Sequence, residues 1–136
     1  MEFITQNGNK KVEIKPASFR EANDLKKIIL KSLGNNADKI KINGDVNLLE
    51  ILPKILIELE TSAEFESAVN KCLIHCIYDS FYKIDEQLFD AHPEAREDYY
   101  EILTTCVEVN IRPLWKSLIS ELKKRIQGIP TENPVQ

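Results

Sequence analysis

The stretch Phe65-Glu66-Ser67-Ala68-Val69-Asn70-Lys71-Cys72-Leu73-Ile74-His75-Cys76-Ile77 decides the fold class. Its apolar residues Phe65, Ala68, Val69, Cys72, Leu73, Cys76 and Ile77 recur in steps of 3 and 1 without a miss. An α-helix turns once in about 3.6 residues, so this spacing gathers them all on one face. Thr61-Ser62 stands just ahead of the run and offers a hydroxyl to cap its free backbone N–H groups. The segment therefore predicts an amphipathic helix with a buried stripe.

Working back toward the N-terminus, residues 45–60 read as a second helix. It is apolar almost all round, with Val46, Leu48, Leu49, Ile51, Leu52, Ile55, Leu56, Ile57 and Leu59. Such a helix is either central in a core or covered by a partner. Pro53 lies inside it and marks either a kink or a fresh helix start. Residues 34–46 read as a polar loop, with a brief extended piece at 40–42 and a turn at Asn43-Gly44. The helix before that loop opens on Ser18 with Glu21 three residues on, a capping box. Phe19, Ala22, Leu25, Ile28 and Ile29 follow at helical spacing, and Gly34-Asn35-Asn36 closes it. Val12-Glu13-Ile14-Lys15 alternates apolar and polar residues and suits one short strand ended by Pro16. A single strand must pair across two chains, pair within its own chain, or lie over the helices.

Toward the C-terminus, residues 78–91 read as a connector with a helical turn near 85–89. Pro93 then opens a fourth helix, with Glu94, Glu97 and Asp98 near its positive end and Ala95, Tyr99, Ile102, Leu103, Cys106 and Val107 as its stripe. Asn110-Ile111-Arg112-Pro113 interrupts the pattern as a kink or tight break. A fifth helix carries Leu114, Trp115, Leu118, Ile119, Leu122 and Ile126, and Gly128 stops it. The expected fold is mostly α: a compact bundle of about five helices with a short N-terminal extended segment. The expected organisation is a flexible N-terminus over 1–11, a single helical domain over 12–127 and a disordered tail over 128–136.

With 136 residues, 43% hydrophobic and 29% charged, the chain has the composition of one globular domain. Its net charge of -4 argues against nucleic acid as the main partner, because phosphate binding needs a dense basic surface. The short basic runs, Lys10-Lys11 and Lys123-Lys124-Arg125, read as solvated faces. No apolar stretch approaches the roughly 20 residues needed to cross a bilayer. The opening residues lack the charged-then-apolar pattern of an export signal, which points to a cytoplasmic protein.

Few groups suggest chemistry. Cys72, His75 and Cys76, with Cys106 and His92, could supply metal ligands, but the cysteines fall on apolar stripes while His75 does not, so buried free thiols are expected and no metal or other cofactor. A cysteine nucleophile would need a histidine base and oxyanion donors, and nothing in the sequence supplies both. The acidic pairs Asp85-Glu86 and Glu97-Asp98 read as solvated helix faces, and there is no glycine-rich phosphate loop. The expected role is therefore non-enzymatic. Tyr99 fits the core stripe while Tyr100 falls near its edge; Trp115 is either core or part of a binding surface.

The segments from Cys72 to Tyr78, Lys83 to Asp85, Ala95 to Ile102 and Cys106 to Leu118, with the opening Ile14-Lys15-Pro16-Ala17-Ser18-Phe19, resemble the tail assembly chaperones of long-tailed phages and Gram-positive prophages. The resemblance covers about residues 12 to 125. It implies a protein that coats the tape measure protein and recruits the major tail protein that forms the tail tube. It implies the host bacterial cytoplasm, absence from the mature virion, and a short form of a product that many members also make in a longer, frameshifted version. Neither membrane nor nucleic acid is an expected partner, and self-association stays open. An apolar partner helix seats on anchors at helical spacing. The candidate contacts are Leu49, Leu52, Leu56 and Leu59, or else a surface of Tyr100 and Trp115. The rival expectation is a small helical DNA-binding phage regulator, which would need a Lys- and Arg-rich recognition helix.

Overall fold

The computed structural model describes residues 1–35 and 47–131, and the side chains through Arg125. It is mostly helical, with a small sheet at one side. In chain order the elements are β1 (Glu2–Ile4), β2 (Lys11–Glu13), α1 (Phe19–Asn35), α2 (Leu48–Leu59), α3 (Ala63–Leu73), β3 (Ile77–Tyr78), β4 (Tyr82–Lys83), α4 (Glu86–Ala91), α5 (Tyr99–Ile111) and α6 (Trp115–Thr131). Tight 3-10 turns at Pro93–Asp98 and Arg112–Leu114 lead into α5 and α6. Five long helices, α1, α2, α3, α5 and α6, make the bundle, as the periodicity predicts.

The helix starts follow the capping residues. Ser18 Oγ accepts from the Glu21 N–H at 3.2 Å while the Ser18 N–H donates to Glu21 Oε1 at 3.2 Å, which is the reciprocal capping box. Asn47 Oδ1 accepts from the Leu49 N–H and Ser62 Oγ from the Phe65 N–H. Pro53 neither breaks α2 nor starts it: the helix runs through it as one element. Of the loop expected over 34–46, Gly34 and Asn35 belong to α1, and the rest lies outside the described residues.

α1 lies against α3 and α6, and α5 packs on both α2 and α3. Leu25, Ile29, Leu52, Ile102, Leu118 and Leu122 are sealed from solvent where these helices meet. Full burial of such a side chain contributes roughly 1.5–3 kcal/mol. At the joint between α5 and α6, Asn110 is buried and fully used: its Nδ2 donates to the Cys106 carbonyl at 2.9 Å and its Oδ1 accepts from the Ala17 N–H at 2.8 Å. The break expected over 110–113 is the 3-10 turn at Arg112–Leu114, and Asn110 just ahead of it ties the entry to α1 onto α5.

The N-terminal region departs from expectation. Residues 1–11 are not frayed. β1 pairs antiparallel with β2, β2 with β3, and β3 with β4, giving a four-stranded sheet within one chain. The strand partner sought for Val12 is thus partly its own N-terminus and partly Ile77-Tyr78. This shortens α3, whose helix ends at Leu73 rather than Ile77. Cys76 stays buried ahead of β3, while Ile77, the first residue of that strand, is only half-buried. At the other end α6 passes Gly128 and reaches Thr131, and the remainder of the expected tail, 132–136, lies outside the described residues.

The hairpin turn between β1 and β2 is held down by α5. The Gly8 N–H donates to Asp98 Oδ1 and the Tyr78 hydroxyl to Asp98 Oδ2, each at 2.8 Å, with Asp98 fully buried. A Cβ at Gly8 would collide with that carboxylate, so the turn approaches this closely only because residue 8 is glycine. The Gln6 N–H adds a bond to Glu101 and the Asn7 side chain donates to the Glu97 carbonyl. Asp98 stands at the start of α5, yet it caps the hairpin and not its own helix.

Candidate groove between three helices

α2 shows how a nearly all-apolar helix sorts its faces. Leu48, Ile51, Leu52, Ile55, Leu56 and Leu59 point inward and are buried. Leu49 and Ile57 stay 55% and 68% exposed, with Pro53 exposed between them. A helix advances 100° per residue, so positions 49, 53 and 57 form one outer stripe. The expected contact set of Leu49, Leu52, Leu56 and Leu59 is therefore split. Three of its members serve the core and only Leu49 faces solvent.

The second expected set is split as well. Trp115 is 9% exposed and belongs to the core, whereas Tyr100 is 54% exposed. Tyr99, expected in the core, is only half-buried: its ring stands edge-on to Phe89 at 5.2 Å. Burial and the nearby Glu66 carboxylate hold its phenol above the ordinary value.

Tyr100 instead shares a hollow with Leu56 and Ile57 of α2. A hollow of about 310 Å³ opens between α2, α3 and α5, with Leu56, Phe65, Val69 and Leu103 at its floor. Ile57, Tyr99 and Tyr100 stand at its mouth, and Glu60 and Glu66 complete its wall. Leu56 and Tyr100, taken from two alternative surfaces in the sequence, thus share one site. Ile57, Phe65 and Leu103 were visible only as members of helical stripes. What selects them is the way α5 packs across α2 and α3, a long-range arrangement that no local pattern encodes.

Of the groups considered for chemistry, Cys76 and Cys106 are brought into contact, while His75 and His92 pair elsewhere. Cys72, Cys76 and Cys106 are buried free thiols. Cys76 Sγ lies 4.0 Å from the Lys15 carbonyl and 3.8 Å from the Cys72 carbonyl, and Asn110 Nδ2 lies 3.6 Å from Cys106 Sγ. Burial raises the Cys72 thiol to about 12. The Cys106 thiol beside Cys76 pulls Cys76 below its ordinary value, and the same contact pushes Cys106 up. His75 turns away to Glu21, with Nε2 2.8 Å from Oε1, and this bond holds the Glu21 carboxyl below its usual range. His92 sits against the Tyr82 ring at 4.7 Å. Among the described residues, no three His, Cys, Asp or Glu side chains are grouped to hold a metal ion. Nor is any helix there long and apolar enough to cross a membrane.

Comparison with family models, with curated proteins and with solved structures returns no match.

Proposed function

We propose that the chain is a tail assembly chaperone that holds helical segments of the tape measure protein during phage or prophage tail morphogenesis and recruits major tail protein subunits to them. It acts in the host bacterial cytoplasm and is left out of the finished virion. One observation carries the protein-binding part: an apolar groove between three helices whose mouth keeps an isoleucine and two tyrosines at the surface. Large apolar and aromatic side chains at the rim of a concave site give contact area at a small entropic cost, and a partner helix with apolar anchors fits such a groove. The identity of the partners comes from the sequence resemblance.

Co-expression with the tape measure protein tests the reading. The chain should keep the tape measure protein in the soluble fraction, and Ile57→Glu with Tyr100→Ala should abolish that effect while the variant itself stays folded. A tape measure protein equally insoluble with and without the chain refutes it.

A further inference from the structure

The groove does not end at Tyr99. A second hollow of about 230 Å³ adjoins it between α3, α4 and α5, and Glu66 and Tyr99 line both. Its walls add Asn70, Leu73, Phe89, and the acids Asp85, Glu86 and Asp90. From Phe65 to Leu73 along α3 the two hollows follow about 12 Å of helix, at a rise of about 1.5 Å per residue. The furrow has an apolar end and an acidic end, and no Lys, Arg or His lines either. Asp85 caps α4 through the Leu88 N–H, and Asp90 makes a long, exposed pair with Arg96 at 3.9 Å. Glu60, Glu66 and Glu86 have no basic partner among the described residues.

We infer that the furrow takes an amphipathic helix of two to three turns whose apolar anchors seat beside Ile57 and Tyr100 and whose lysines or arginines, displaced toward one end, lie over Glu66 and Glu86. The inference rests on the helix-binding role proposed above and adds to it the charge and polarity of the occupant. Uncompensated carboxylates beside an apolar floor favour a cationic partner, repel an anionic one and fix its register. The chain's own basic run, Lys123-Lys124-Arg125, is a poor occupant. The apolar stripe that leads into it, Leu118 and Leu122, is already buried in the fold, so among the described side chains a second copy's α6 offers no free anchors there.

The test uses the full chain and two designed helical peptides of about 18 residues with one leucine stripe, flanked at one end by lysines or by glutamates. Binding is read by fluorescence anisotropy at low and at physiological salt. The lysine peptide should bind at least tenfold more tightly than the glutamate peptide, and salt should narrow that gap. Glu66→Gln with Glu86→Gln should weaken the lysine peptide about fivefold to tenfold. Glu50→Gln with Glu58→Gln removes the same charge but lines neither hollow, and should change it less than twofold. Equal binding of the two peptides, or equal loss in the two double variants, overturns the charge inference and leaves the groove intact. Binding indifferent to Ile57→Glu and Tyr100→Ala, or absent for both peptides, overturns the groove itself. A dimer dispersed by Ile57→Glu would show a second copy in the furrow and overturn the inference as well.

Discussion

Replacing Asp98 by alanine tests how the N-terminal hairpin is fastened to the helical body. The carboxylate is fully buried and accepts two short bonds at 2.8 Å, from the Gly8 N–H and the Tyr78 hydroxyl. A hydrogen bond to a charged group contributes about 1.5–3 kcal/mol, so the two together stabilise the fold by roughly 3–6 kcal/mol before the cost of burying the charge. That cost is itself several kcal/mol and is recovered when the charge is removed. The alanine variant, however, leaves the Tyr78 hydroxyl buried without its acceptor, a penalty of about 1–3 kcal/mol, and opens a gap under the hairpin. The net expectation is a loss of about 2–4 kcal/mol in urea unfolding, on a total of about 5–15 kcal/mol for a domain. Tyr78→Phe alone should cost less, and in the Asp98→Ala background it should cost almost nothing, because the orphaned hydroxyl is gone. Hydrogen exchange should show the amides of β1 and β2 losing protection before those of α3 and α5. A variant within 0.5 kcal/mol of the parent (about the scatter expected of surface changes), with β1 still protected, would refute the clamp.

Further outcomes follow from other contacts. Burial and the Asp98 hydrogen bond and charge raise the Tyr78 phenol above its ordinary value of 10.0, so the unfolded chain ionises first and stability should fall as pH rises through and above that value, a fall that Tyr78→Phe removes in denaturation at graded pH. Ser18→Ala breaks the capping box of α1 and should cost about 1 kcal/mol in thermal or urea unfolding. Leu52→Ala should cost about 2–5 kcal/mol, since its side chain is buried, while Leu49→Ala, on the outer face of the same helix, should stay within about 0.5 kcal/mol.

Local chemistry reached far in this chain. The cap at Ser62, the stripe from Phe65 to Leu73 and the box at Ser18 all depend on residues within one or two turns, and each appears where spacing placed it. The sheet was not legible in the same way. β3 and β4 are two residues long, too short for alternation to register, and the turn between them uses Asp79 and Ser80 at φ of 54° and 63° without a glycine to announce it. β1 is only Glu2-Phe3-Ile4, set in an opening stretch of polar residues that reads as frayed. What orders it is Asp98, some 90 residues away in sequence. The groove was half legible for the same reason: the stripes named its residues, and the crossing of α5 over α2 and α3 chose among them.

The acidic wall of the groove bears on self-association. An exposed apolar mouth invites a second copy, and a two-fold pairing through this face would set each residue of the groove against the same surface of its partner. Glu60 and Glu66 of one copy would then lie close to Glu60 and Glu66 of the other, with no lysine or arginine in the wall to separate them. Like charges brought together at an interface cost several kcal/mol, which is enough to offset the burial of a few apolar side chains. The carboxylates would thus keep an open groove available to a cationic helix while discouraging its closure by another copy. Neutralising them should reverse that preference. Glu60→Gln with Glu66→Gln should self-associate in sedimentation velocity at protein concentrations where the parent sediments as a monomer, and Ile57→Glu added to that pair should restore the monomer. If the neutralised chain stays monomeric across the same range, repulsion at the groove is not what keeps it open.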